Sequence, residues 1–166
     1  MGPEGAGFFY CRRELIEHMR PLMVGWMNVV DAQNYGEYNY SLKNDAGRFE
    51  CGTYNVPGLL GLKASVDLLS GVGVEFISNR LRALTDRLVE GLLKKRYAIV
   101  SPRDGNSWSG IVSFTSPAHH HQEMVRALRK ERKTEIAYRE GRLRVSPHFY
   151  NTEQQIDRLL ANLPKH

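Results

Sequence analysis

The sequence predicts an α/β fold built on a small, mostly antiparallel sheet covered by helices, and three observations carry that prediction. Short apolar runs alternate with helical stretches through the second half of the chain. Two of those runs, at 135–139 and 142–146, are parted only by Glu140-Gly141, a spacing that favours a tight hairpin. Ahead of them lie two longer helical patterns divided by Gly71-Val72-Gly73.

Taken in order, residues 7–11 read as a short strand after a glycine-rich turn, and residues 13–19 as a helical turn that Pro21 ends. From 23 to 52 periodicity is lost. Trp26, Tyr35, Tyr38, Tyr40 and Phe49 are scattered there among Asn, Asp and Gly, so this segment is expected to line a site or an interface. Pro57 suits a first helical turn, and Leu59, Leu62, Val66 and Leu69 follow at helical spacing. The next helix, from 74 to about 95, sets Ile77, Leu81, Leu84, Leu88 and Leu92 on one stripe. Strands at 97–100 and 111–116 enclose a polar loop, and a helix over 120–133 turns Met124, Ala127 and Leu128 inward. After the hairpin, Thr152 offers its hydroxyl as the N-cap of a last helix. Ile156, Leu159, Leu160 and Leu163 form its buried face before Pro164 stops it.

A chain of 166 residues is one ordinary domain, or a small domain carrying part of another. No apolar stretch approaches the roughly 20 residues that span a bilayer, and no charged start followed by an apolar block marks a secretion signal. A cytoplasmic setting with no membrane partner is therefore expected. Cys11 and Cys51 are far apart and lack Cys-x-x-Cys spacing, so neither a metal centre nor a disulfide framework is expected. The net charge of +5 suits phosphate, acidic substrates or nucleic acid. The run Arg126, Arg129, Lys130, Arg132 and Lys133 reads as one helix's solvated face, so a nucleic-acid-binding α/β module is the rival reading rather than the main one. His119, His120 and His121 are consecutive, cannot face one metal together, and are expected in solvent.

Two motifs carry candidate chemistry. In Arg48-Phe49-Glu50-Cys51-Gly52-Thr53-Tyr54-Asn55, a glycine, a hydroxyl and an amide stand just before a helix, where unpaired N–H groups and the helix dipole suit a phosphate. Simple capping by Thr53 or Asn55 accounts for the same residues. In Leu143-Arg144-Val145-Ser146-Pro147-His148-Phe149-Tyr150-Asn151-Thr152, strand alternation puts Leu143 and Val145 on one face. Arg144 then projects from the other, where its guanidinium can grip a carboxylate with two hydrogen bonds or join a surface ion pair.

These motifs, with the opening run Gly2-Pro3-Glu4-Gly5-Ala6-Gly7-Phe8-Phe9-Tyr10, resemble the class V aminotransferase-fold enzymes. These are pyridoxal-phosphate (PLP) proteins that include cysteine desulfurases, selenocysteine lyases and isopenicillin-N epimerases. The resemblance runs from Gly2 to Leu163. It implies the C-terminal portion of a fold-type I PLP enzyme: residues 1–56 a remnant of the large domain with a site-lining loop, and residues 57–166 connecting helices and the small domain. It further implies that Thr53, with Gly52 and Asn55, serves the cofactor phosphate across a homodimer interface. Arg144 would hold the α-carboxylate of an amino-acid substrate, with Arg139 at a nearby family arginine position and Trp26 in a Gly-Trp element lining the pocket. The Schiff-base lysine of the family precedes the Gly-Pro and has no counterpart from Met1 onward. No catalytic residue and no bound PLP are therefore expected for the chain alone, and a truncated paralogue acting by dimerisation is a further alternative. The desulfurases carry a catalytic cysteine between the positions matched by Arg139 and Arg144. Here only Glu140, Gly141, Arg142 and Leu143 stand there, which turns the expectation toward lyase-like, epimerase-like or aminotransferase branches.

Overall fold

The computed structural model describes residues 2–105 and 107–165 and separates into two units, Met1–Gly71 and Val72–His166. The first holds helix α1 (Arg13–Ile16), a 3-10 turn at Ala46–Phe49 and helix α2 (Val56–Val72). The second runs α3 (Val74–Lys94), β1 (Ala98–Ile99), β2 (Val112–Thr115), α4 (His121–Arg132), β3 (Ala137–Arg139), β4 (Arg142–Val145) and α5 (Glu153–Asn162).

Alternation decides the second unit. Val112 and Phe114 of β2 and Leu143 and Val145 of β4 are buried, while Ser113 and Arg144 between them point to the other face. The four strands pair antiparallel in the order β1-β2-β4-β3, with Phe114 opposite Leu143 and Ser113 opposite Arg144. β3 and β4 are joined by Glu140-Gly141 with φ of 46° and 75°, the double positive φ of a type I′ turn, whose twist matches that of the strands it connects. Leu84, Leu88 and Leu92 of α3, Met124 and Leu128 of α4, and Ile156 and Leu159 of α5 complete one core with the buried strand residues. Each such side chain contributes about 1.5–3 kcal/mol by leaving water. Tyr97 packs edge-to-face on Phe114 at 5.3 Å and donates its hydroxyl to the Pro164 carbonyl at 2.9 Å. Burial pushes that hydroxyl's pKa up to about 12.

Outside the core, α3 and α5 are stitched by charge. Arg80 pairs with Glu153 and donates to the Asn151 carbonyl at 2.8 Å, and Arg87 forks onto Asp157 at 2.6 and 2.7 Å. Thr152 and Gln155 form a reciprocal capping box at the start of α5. Hydrogen bonding from Arg80, helped by a backbone N–H, holds the Glu153 carboxyl down to about 2. A depressed carboxylate pKa gives stability that is present above the ordinary value near 4.5 and lost as pH falls through the native one. The margin of the parent over Arg80→Met in urea unfolding is therefore expected to shrink from pH 4.5 down to about 2. A margin that stays constant across that window would show the pair to be energetically silent.

Several expectations are corrected. Residues 7–11 form no strand. Phe8 and Tyr10 stand exposed with no pairing backbone in their unit, and an extended segment without a neighbour has no ladder to join. The stripe on α2 is not a buried one, since Leu59 and Val66 are exposed and only Gly58 of that helix is fully covered. On α3 the stripe is buried only from Leu84 onward; Ile77 and Leu81 are half-buried. Ala127 faces solvent, and Val125 packs on the core beside Met124 and Leu128. The histidine run is not simply solvated. The His121 ring lies 2.8 Å from the Gly141 carbonyl and accepts from the Ser116 N–H at 2.9 Å, tying the hairpin turn to the end of β2. The two compact units part at Gly71, near the end of α2.

Candidate functional site

In the first unit, the long aperiodic segment is held by one amide. Asn28 is fully buried; its side-chain oxygen accepts from the Gly25 N–H and its NH2 donates to the Arg48 carbonyl at 2.6 Å. Arg48 in turn donates to the Ile16 carbonyl at 2.7 Å. This clasp draws the Gly25-Trp26 turn against the chain that leads into Gly52 and Thr53. A Cβ at Gly25 would lie 2.0 Å from the Cys51 carbonyl oxygen, so no other residue fits there without moving the backbone. Gly52 is not crowded in this way; a Cβ added to it would make ordinary contact with the Trp26 indole nitrogen at 3.8 Å.

Asn55 proves to be the cap of α2. Its side-chain oxygen accepts from the Gly58 N–H and its NH2 donates to the Gly5 carbonyl, both at 3.1 Å. Both ends of that amide are therefore occupied. Thr53 is exposed, and among the described residues neither its hydroxyl nor the N–H groups of Gly52 and Thr53 have a partner. Three donors thus stand open ahead of the positive end of a 17-residue helix, an arrangement that suits an anion.

Trp26 is 45% exposed, so no core of the first unit covers it. It stands 6.1 Å from the Tyr35 ring and borders a concavity of about 420 Å³ shared with Tyr38 and Tyr40.

In the second unit, Arg144 is flanked across the ladder by Ser113 on β2 and Ala137 on β3, so short side chains leave its guanidinium room on the face away from the core. Its Nε is buried and has no hydrogen-bond partner. The arginines around it behave differently: Arg80, Arg87, Arg103 and Arg129 each pair with a carboxylate. Arg139 is exposed, donates only to the Tyr138 carbonyl, and shares the outer face of the sheet with Arg144 and Arg142. Asn151 serves the start of α5, accepting from the His148 N–H at 2.7 Å and donating to Gln155, while Tyr150 stacks on His148 at 4.7 Å.

Sequence reading missed Asn28 and Arg142. A buried polar side chain inside an aperiodic stretch leaves no spacing signal, whereas Arg142 was legible as the residue two before Arg144 on the same strand face. Among the described residues no group of three His, Cys, Asp or Glu side chains is placed to hold a metal, and no helix is long and apolar enough to cross a membrane.

A small antiparallel sheet covered by helices is the architecture that the sequence resemblance implies. Comparison with known proteins agrees. The family model for aminotransferase class-V matches residues 1–159. A probable cysteine desulfurase of Pyrococcus abyssi is 30% identical over 178 residues, covering 98% of this chain and 43% of the relative. The apo structure of a cysteine desulfurase from Thermococcus onnurineus superposes with a TM-score of 0.79 at 25% identity, over 92% of this chain and 40% of that one. A C-DES variant with glycine covalently linked to its PLP cofactor gives 0.77 at 23% identity, over the same shares, 92% and 40%. The chain belongs to the class V aminotransferase family, and it spans about two fifths of the length of these relatives.

The C-DES neighbour carries PLP, with glycine linked to it. Each unit has open groups that suit an anion: in the first, the unpaired N–H donors at Gly52 and Thr53 suit a phosphate such as that of PLP, and in the second the buried, unpartnered Nε of Arg144 suits a carboxylate such as that of an amino acid.

Proposed function

We propose that this chain is the C-terminal portion of a PLP-dependent enzyme acting on an amino acid. In it, Gly52 and Thr53 hold the cofactor phosphate across a homodimer interface and Arg144 holds the substrate α-carboxylate. The observation that carries the reading is the Arg144 side chain, whose Nε is buried without a partner, whereas Arg80, Arg82, Arg87, Arg103 and Arg129 of the same unit each pair with a carboxylate. A native fold leaves such a nitrogen unpaired when a ligand completes it. Bound PLP supplies an electron sink for the bonds at the amino acid's α-carbon. The chain's own residues do the rest of what is assigned to them here. Arg144 fixes the carboxylate with a planar two-point grip and Arg139 adds positive potential on the same sheet face. Asn55 holds the start of α2 so that the donors at Gly52 and Thr53 stay aimed, and Trp26 lines the side-chain end. A cytoplasmic setting fits a reaction of this kind.

The tight β3–β4 hairpin holds no cysteine, and both free cysteines, Cys11 and Cys51, belong to the first unit. The reaction is therefore a lyase, epimerase or transaminase type rather than one that stores sulfur on a thiol of that hairpin. As a separate polypeptide the chain is not catalytic. Three of its seven lysines are engaged within the chain: Lys63 and Lys94 in ion pairs along their helices, and Lys95 as a donor to the Leu163 carbonyl.

Two measurements on the purified chain test this. Adding PLP and then borohydride is expected to leave no stoichiometric adduct at any single lysine, and one defined, fully modified lysine would overturn the claim of inactivity. Titrating inorganic phosphate is expected to shift the amide resonances of Gly52 and Thr53 ahead of all others; shifts confined to the basic face of α4 would favour the nucleic-acid module instead.

A further inference from the structure

The concavity beside Trp26 has a chemistry that the cofactor reading does not use. Of its lining side chains, Trp26, Tyr35, Tyr38 and Tyr40 supply aromatic surface and Asp31 and Glu37 supply carboxylates; none of the lining residues is Lys or Arg. That is unusual in a chain carrying 23 Lys and Arg against 18 Asp and Glu. Neither carboxylate takes part in an ion pair among the described residues, and Glu37 meets only the Asn34 amide, at 3.3 Å. The rings are held open to solvent: Tyr38 is 92% exposed and Tyr40 81%. Trp26 and Tyr35 are tilted by 45° with centroids 6.1 Å apart, and the face of each ring attracts a cation that comes within roughly 6 Å of it.

Three features select the occupant. Aromatic faces and uncompensated carboxylates both attract positive charge and both repel an anion. A volume of about 420 Å³ takes a small organic group rather than a folded partner. The backbone that shapes the hollow is tied down by the Val30 N–H to Ser41 carbonyl bond and the Lys43 N–H to Asn28 carbonyl bond, at 2.9 and 3.0 Å, so the walls stand before any ligand arrives.

We propose that this hollow is a binding site for an organic ammonium group. The inference stands on the hollow alone and goes beyond the reading of Trp26 as a residue lining the substrate pocket. No bond is made or broken there.

The test uses the full chain with Trp108→Phe, which leaves Trp26 as its single indole. Choline is titrated while Trp26 fluorescence is followed, beside its neutral isostere in which carbon replaces the quaternary nitrogen. Choline is expected to give a saturable change and the isostere a markedly weaker one. Asp31→Asn with Glu37→Gln, and separately Tyr35→Leu, are each expected to weaken choline by about two- to fivefold, the range of an exposed cation–π or ion contact. A response that never saturates, or one equal for choline and the isostere, overturns the proposal. The same sample titrated with inorganic phosphate separates the two readings. Choline binding without shifts at Gly52 and Thr53 would sink the cofactor cradle and keep the ammonium site, and the reverse result would sink the ammonium site alone.

Discussion

Replacing Arg144 by alanine in the intact enzyme is expected to lower kcat/KM by roughly two orders of magnitude or more, because truncating one partner of a buried charge pair leaves the other unmatched. The loss should be selective. An amine substrate lacking the carboxylate has nothing to offer Arg144 and is expected to respond little. Lysine at this position keeps the charge but loses the planar fork, so Arg144→Lys should recover only part of the activity. Stability moves differently from activity here. The Nε of Arg144 is buried without a partner in the free chain, and removing an unsatisfied polar atom costs no hydrogen bond, so Arg144→Ala is expected to unfold no earlier than the parent in urea. A variant that loses activity and stability together would show that Arg144 is a structural residue of the sheet and not a ligand for substrate.

The second large effect concerns the core of the second unit. Phe114 is fully buried at the centre of β2, edge-to-face with Tyr97 and opposite Leu143. Phe114→Ala is expected to cost about 3–5 kcal/mol, by lost transfer energy plus the cavity left between sheet and helices. In the same variant the Tyr97 hydroxyl, now better hydrated, should titrate closer to 10 than to about 12. Urea unfolding followed by circular dichroism checks the first number and ultraviolet difference titration the second. A cost below about 1 kcal/mol would mean that the core collapses around the gap.

The fold was most legible where periodicity was strong. The 3.6-residue stripe of Leu84, Leu88 and Leu92, the alternation around Arg144, and the two-residue turn at Glu140-Gly141 are each local patterns, and each stands in the structure as the residues require. Where the sequence misled, the missing information was tertiary. Residues 7–11 have strand composition, but a strand needs a neighbour, and α2 has an apolar stripe that its own unit does not cover. Composition alone cannot distinguish an apolar side chain that is buried from one that awaits a cover. The candidate site divides in the same way. Arg144 follows from alternation, and an amide just before a helix, as at Asn55, suits capping as well as phosphate binding. Asn28 had no signal, because a polar residue is placed in a core by three-dimensional hydrogen bonding that leaves no trace in spacing.

The uncovered side chains of the first unit carry a practical consequence. Phe8 is 82% exposed, Tyr10 78% and Leu22 fully so, and Leu60, Val56 and Leu68 of α2 add further oily surface. Dissolved as a separate polypeptide, such a surface makes the chain sticky. Clustering in solution should grow with protein concentration and with sulfate, which strengthens apolar association, and should recede in mild urea. Colloidal behaviour, rather than unfolding, is then what limits how long this chain survives in a tube.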